Sequence, residues 1–139
     1  MAGKILLEVV TPDRLLLSQQ VDEVIAPGTE GEFGVLPGHC HFISMLKVGE
    51  LRYKITDLWS YMSVLWGFAE VTPTKVTVLA EIAEKAEDID VERAQAAVEE
   101  AEKQLEMGGL PSEVEAAKVS LEKARLRKKI AERARRTPA

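Results

Sequence analysis

The stretch Glu87-Asp88-Ile89-Asp90-Val91-Glu92-Arg93-Ala94 is where this 139-residue chain changes character. Before it, apolar and polar residues alternate in short runs divided by turn residues, the period-2 pattern of half-buried strands. After it, apolar residues recur at steps of three and four among charges and alanines, the pattern of amphipathic helices. The junction itself reads I-D-x-x-R-A and sets Asp90 and Arg93 three residues apart, on one face of a first helical turn. Two readings of that pair stay open on the residues alone. Aspartate is a favoured N-cap, and a carboxylate beside a guanidinium also suits a nucleotide.

Working back from the junction, 4–10, 15–17, 21–26, 41–46, 51–55, 59–65, 68–72 and 75–80 read as short strands. Turn signals between them recur every eight to twelve residues, which favours an all-β sandwich or barrel. Gly28, Gly31 and Gly34 are too close together for anything but tight turning. They do not form a phosphate loop, since G-x-x-x-x-G-K-[ST] is absent and no helix follows.

Working forward, Val91, Ala94, Val98, Ala101 and Leu105 predict one helix, ended by Met107-Gly108-Gly109-Leu110-Pro111. Ser112 and Glu115 carry the spacing of a capping box for a second helix, striped by Val114, Ala117, Leu121, Ala124 and Ala131. The expected fold is therefore α+β in two parts. Residues 1–85 form an antiparallel β-sandwich and residues 86–139 an antiparallel two-helix hairpin. A seam of alanine and valine buries little apolar area, so the hairpin is expected to be marginally stable and able to open.

Charge is unevenly spread. Residues 1–84 carry 6 basic and 11 acidic side chains, 85–112 carry 3 and 8, and 113–139 carry 9 and 4. The basic run Arg125, Arg127, Lys128, Lys129, Arg133, Arg135, Arg136 could bind nucleic acid, an acidic lipid surface or an acidic protein patch, and its lack of aromatic residues weakens the single-stranded nucleic-acid reading. No apolar run is long enough to span a bilayer, and the first residues lack a signal-peptide core. A single cysteine, Cys40, suits a reducing cytoplasm and forms no internal disulfide. His39, Cys40 and His41 are too few for a structural zinc site, so no metal is expected. Met45, Met62, Trp59 and Trp66 read as core or subunit interface.

Three motifs carry a family resemblance over the whole chain. Pro27-Gly-Thr-Glu-Gly-Glu-Phe-Gly-Val-Leu-Pro-Gly-His39 resembles the E-G-x-x-G-[IVL]-x-P-G-H signature of the epsilon subunits of F-type ATP synthases. Gly67-Phe68-Ala69-Glu70-Val71 followed by Lys75-Val76-Thr77-Val78-Leu79-Ala80 is similar to the end of that family's β domain. Ala86 to Ala94 is similar to its linker and nucleotide motif. The resemblance implies a sandwich of about ten strands and a regulatory hairpin on a non-catalytic subunit of the central stalk. It implies partners too: the gamma subunit and the c-subunit ring for the sandwich, and the beta and alpha subunits of the catalytic head for an extended hairpin that blocks ATP hydrolysis. It implies a place on the cytoplasmic face of the bacterial inner membrane, held there only through the complex, with no nucleic acid bound.

Carried over by position, ring contact falls to Glu32 and His39. Regulatory ATP falls to Glu84, Ile89, Asp90, Arg93, Ala94, Lys123 and Arg127, with no other cofactor. Asp90 would accept from the adenine amino group, and Arg93, Lys123 and Arg127 would donate to phosphate. Contact with the head falls to Arg125, Lys128, Lys129 and Arg133. The chain departs from the family pattern at Lys123, where arginine is usual, at Cys40-His41, and at Leu65-Trp66, where small residues are common. Two other readings are a nucleic-acid-binding adaptor using the basic helix, and a small enzyme. The first leaves the glycine loop unexplained; the second lacks a nucleophile with a base.

Overall fold

A computed structural model describes residues 3–39 and 41–136, the last three of these by backbone alone. Cys40 and the side chains of Arg135 and Arg136 lie outside the described residues. The chain divides into two compact units, Met1–Lys85 and Ala86–Ala139.

The first unit holds eight strands: β1 (Ile5–Val10), β2 (Leu15–Val21), β3 (Glu23–Gly28), β4 (Gly31–Val35), β5 (Phe42–Leu46), β6 (Gly49–Ile55), β7 (Leu58–Val71) and β8 (Lys75–Lys85). They join in one hydrogen-bonded sheet in the order β2-β1-β8-β7-β5-β3-β4, with β6 bridging β3 and β7. All pairings are antiparallel except β1 with β8, which is parallel. A single core nevertheless draws on every strand, from Ile5, Leu7 and Val9 through Val24, Leu51 and Met62 to Val76 and Val78. A sheet whose strands all feed one core must be folded over on itself.

The fold line crosses β7 and β8. Residues 58–64 of β7 pair with β6 and residues 67–71 with β5, while β8 runs alongside without a change of register. Before the line Met62 and Val64 point inward; after it Ala69 and Val71 do. The inward parity has flipped, and Trp66, at φ 50°, is the residue that flips it. In β8 the same change falls between Ala80 and Ala83. Gly67 sits in the corner, where an added Cβ would lie 1.9 Å from the Leu79 carbonyl oxygen. Two strands thus serve both layers, which is why eight appear where about ten were expected. The runs 59–65 and 68–72, read as separate strands, are one.

One turn differs from its sequence reading, and a second is held by a side chain. The glycine-rich stretch turns only at Thr29-Glu30, and Gly31 to Val35 is strand. Gly28 is needed because a Cβ there would meet the Gly31 carbonyl at 2.8 Å. The β6–β7 turn puts Thr56 at φ 48° and Asp57 at φ 67°, the two left-handed positions of a tight hairpin. A β-branched residue resists that conformation. The Asp22 carboxylate holds it, accepting from the Thr56 backbone N–H at 2.8 Å and from Lys4 Nζ at 2.7 Å.

In the second unit a 3-10 turn, Ala86–Asp88, leads to α1 (Val91–Met107) and α2 (Pro111–Arg136). Most of the expected stripes are buried, Ala94, Val98 and Ala101 on α1 and Ala117, Leu121, Ala124 and Ala131 on α2, while Val91, Leu105 and Val114 are half-buried. Ile130 is fully buried as well and was not singled out by the spacing. Gly108, at φ 72°, ends α1 by donating its N–H to Gln104 O and Leu105 O. The Ser112–Glu115 capping box does not form. Pro111 takes the first helical position, where its missing N–H costs nothing, and Glu113 N and Val114 N both donate to Leu110 O.

Gly67→Ala should destabilise the sandwich by at least the ~1–3 kcal/mol typical of overpacking, because backbone must move; chemical denaturation of the two proteins measures it. The Lys4 and Thr56 donors hold Asp22 below the usual carboxylate range. A carboxylate whose folded pKa is depressed adds stability above its unfolded pKa of about 3.9, and that stability is lost as pH falls through the folded pKa. The melting-temperature difference between wild type and Asp22→Asn should therefore be constant near neutrality and shrink below about pH 4.

Candidate functional site

The junction motif is built by helix initiation. Ile89 is buried, its N–H donating to Ala86 O at 3.2 Å, and Ala94 is fully buried. Between them Asp90 keeps extended geometry (φ −81°, ψ 110°) and caps α1, its Oδ1 accepting from Arg93 N at 3.1 Å, while Ala94 N donates to Asp90 O at 3.0 Å. Asp90 and the Arg93 side chain are exposed. The capping geometry is thus realised, and the guanidinium takes no part in it.

Val98 and Ala101 pack with Leu121 and Ala124, so the helices run antiparallel and the motif lies alongside the C-terminal half of α2. That half carries Lys123 and Arg127, both half-buried and one turn apart on one face. Asp90 and Arg93 thus open α1, and Lys123 and Arg127 lie from the middle of α2 onward. Glu84 belongs to the other unit, on β8 opposite Ser63.

The basic run follows α2. Arg125 is exposed and reaches Glu102 of α1 at 3.8 Å; Lys128 and Arg133 are half-buried and Lys129 is exposed. With both partners exposed, the pair adds a few tenths of a kcal/mol, on the order of other surface ion pairs.

Of the two expected ring-contact residues, His39 is set by neighbouring rings and Glu32 by an ion pair. His39 follows the Pro37-Gly38 turn and packs on Phe42 at 5.1 Å, and Phe42 packs edge-on against Phe33 at 5.1 Å. Glu32, the neighbour of Phe33 on β4, is reached by Arg52 Nη2 at 3.4 Å. Sequence reasoning missed Arg52. It also bridges to Glu50 at 3.9 Å and lies 5.9 Å from the Trp59 ring centroid, so it organises the outer surface of β6 and β7. Its only signal was alternation in β6, which says outward-facing and nothing of partners.

Among the described residues no cluster of three His, Cys, Asp or Glu side chains could hold a metal ion, and no helix is long and apolar enough to cross a membrane. Met62 is core, whereas Met45 and Trp66 are exposed.

A closed sandwich joined to a capped helical hairpin defines a class of small two-part subunits, and comparison with known proteins gives the class its family. Residues 4–86 match the family model for the ATP synthase delta/epsilon chain β-sandwich domain, and residues 87–135 the model for its long α-helix domain. The ATP synthase epsilon chain of Syntrophobacter fumaroxidans is 51% identical over 133 residues, covering 96% of this chain and 99% of that one. That of Geotalea uraniireducens is 46% identical over 139 residues, covering 98% and 99%. Among solved structures, a chain of the Euglena gracilis mitochondrial ATP synthase (OSCP/F1/c-ring) aligns with TM-score 0.79 at 25% identity, covering 96% of this chain and 82% of that one. A chain of the Tetrahymena thermophila central stalk/c-ring shares the fold, with TM-score 0.59 at 15% identity and coverage of 94% and 98%. The chain belongs to the ATP synthase delta/epsilon chain family, and within it to the epsilon type found in bacteria. It is accordingly a non-catalytic subunit of the F-type ATP synthase, and neither the adaptor nor the enzyme reading is favoured.

Asp90→Ala should cost about 1 kcal/mol of hairpin stability through the lost cap. Without nucleotide, Arg93→Ala should cost nothing or stabilise slightly, since a cation near a helix N-terminus opposes the dipole. Helical circular dichroism against temperature for both variants measures this.

Proposed function

We propose that this chain is the rotor subunit whose sandwich binds gamma and stands on the c-ring, at the cytoplasmic face of the bacterial membrane, and whose hairpin regulates ATP hydrolysis. The observation that carries the reading is the contrast between the two units. The sandwich has a closed core fed by all eight strands. The hairpin is held mostly by small residues: Val98, Ala101, Leu121 and Ala124 form one cluster with Leu105 beside it, and Ala94, Ala117, Ile130 and Ala131 are buried as well. A helix pair with so thin a seam depends on further contacts for its stability. A ligand or partner that favours the folded or the extended form therefore shifts the balance with a small differential affinity.

ATP is that ligand in this reading. Asp90 offers an acceptor to the adenine amino group, Arg93, Lys123 and Arg127 offer donors to phosphate, and Ile89 and Ala94 complete the set on the hairpin. Lys123 gives a point charge rather than a bidentate fork, which weakens but does not remove the phosphate contact. When the hairpin extends, Arg125, Lys128, Lys129 and Arg133 meet an acidic surface of the catalytic head. Glu32 and His39, steadied by the Phe33–Phe42 stack, meet the ring.

ATP should raise the melting temperature of the hairpin in wild type, by the equivalent of ~2.7 kcal/mol at a hundredfold excess over its dissociation constant. In Arg93→Ala the shift should disappear and inhibition of hydrolysis in the assembled enzyme should increase. A wild type with no ATP-dependent shift would remove ATP from the proposal. A chain ending at Lys85 should fold and still join gamma, with hydrolysis no longer inhibited; failure to join gamma would remove the sandwich's role.

A further inference from the structure

Trp66 is the least explained residue of the sandwich. A bulky aromatic side chain rarely occupies the left-handed region, yet Trp66 sits at φ 50°. Backbone held in such a region persists where surrounding structure forces it, and it clusters at binding sites. Core packing does not account for the ring, which is 44% exposed. The corner itself does not require tryptophan, since glycine adopts this φ freely.

The ring forms one wall of a groove of about 360 Å³, lined also by Val10, Pro12, Phe68 and Leu79. The groove opens onto an apolar row across the sheet. Cross-strand register sets Met45 beside Phe68, Phe68 beside Leu79 and Leu79 beside Val10. Met45 is 59% exposed, Phe68 38% and Leu79 37%, and Ile43, one step along β5, is 67% exposed. A contiguous exposed apolar surface of this kind marks a protein-binding face. Lys75, farther along the same face, is paired with Glu8 at 2.7 Å, and the charges beside the groove are acidic. Glu81 lines the groove and Glu70, opposite Ile43, is exposed, whereas no lysine or arginine lines the groove.

We propose that Trp66 is an affinity- and specificity-determining anchor of this chain, and that the groove beside it takes a segment of the neighbouring stalk subunit bearing an apolar side chain next to a lysine or arginine. The inference rests on the stalk reading and adds to it the residue that sets the fit. The corner aims the indole, the groove between it and Phe68 receives the partner's apolar side chain, and Glu81 meets its cation. Anchors of this kind are enriched in tryptophan and dominate affinity when truncated.

The test uses the full chain and its own gamma subunit. Trp66→Gly suits the backbone and should fold with an undiminished melting temperature, yet bind gamma at least tenfold more weakly than wild type. In a Trp59→Phe background, Trp66 emission should shift to the blue when gamma is added. Glu81→Gln should flatten the salt dependence of binding. Equal affinity of Trp66→Gly and wild type, or an unmoved Trp66 emission, would overturn the anchor while leaving the stalk reading intact. An unchanged salt dependence in Glu81→Gln would overturn the cationic partner. A wild type that does not bind gamma would overturn the stalk reading itself. A dimer of the free chain that Trp66→Gly abolishes, with gamma affinity unchanged, would assign the groove to a second copy and overturn the proposal.

Discussion

The sandwich depends on the β7–β8 corner. Nine residues of β7 pair with β8 in one register while the inward face changes parity beneath them. That is possible only if the backbone takes up the flip locally, and Trp66-Gly67 takes it up. The Leu79 carbonyl occupies the space a Gly67 side chain would need. Without the flip at Trp66, either Met62 and Val64 or Ala69 and Val71 would face water, because one step of parity moves every later side chain to the other surface. The partner strands follow from it: β6 can pair with one half of β7 and β5 with the other only because the strand is bent between them.

The second unit obeys a different constraint. Its helices are joined by small residues, so they approach closely while removing little apolar surface from water. Charge offers modest help. α1 is acidic and α2 basic, but the Glu102–Arg125 pair is solvated and long. Large apolar side chains also remain exposed at the hairpin turn, where Met107 is 80% exposed. A unit closed around large apolar side chains is thus followed by one joined mainly by small ones.

Sequence and structure agree where periodicity is strong and part where a single residue decides. Alternation through Ile5, Leu7 and Val9, and the three-four spacing through Val98, Ala101, Leu121 and Ala124, were legible because burial selects for them. The corner was not. Leu65-Trp66-Gly67-Phe68 reads as a break between strands, and no residue pattern announces a tryptophan in left-handed backbone. Ser112 carried a capping signal that Pro111 pre-empted by one position. Ile130 fell off the stripe because the 3-10 turn adds a second packing surface to α2, which a pairwise seam does not anticipate. At the junction, the Asp90 cap follows from elementary helix chemistry, whereas the assignment of Arg93, Lys123 and Arg127 to a nucleotide rests on family resemblance. Arg52, with its carboxylate and aromatic partners, lay outside both kinds of signal.

The central claim is that stability differs sharply between the two units. Native-state amide hydrogen exchange on the full chain in the absence of nucleotide tests it most directly, because it reads opening free energies residue by residue. Amides of β1, β7 and β8 should exchange only through global unfolding. Those along the α1–α2 seam, Val98 to Leu105 and Ala117 to Ala124, should exchange through a separate opening of much lower free energy. Equal protection in the two sets, rising and falling together with denaturant, would mean a single cooperative unit and would contradict the account.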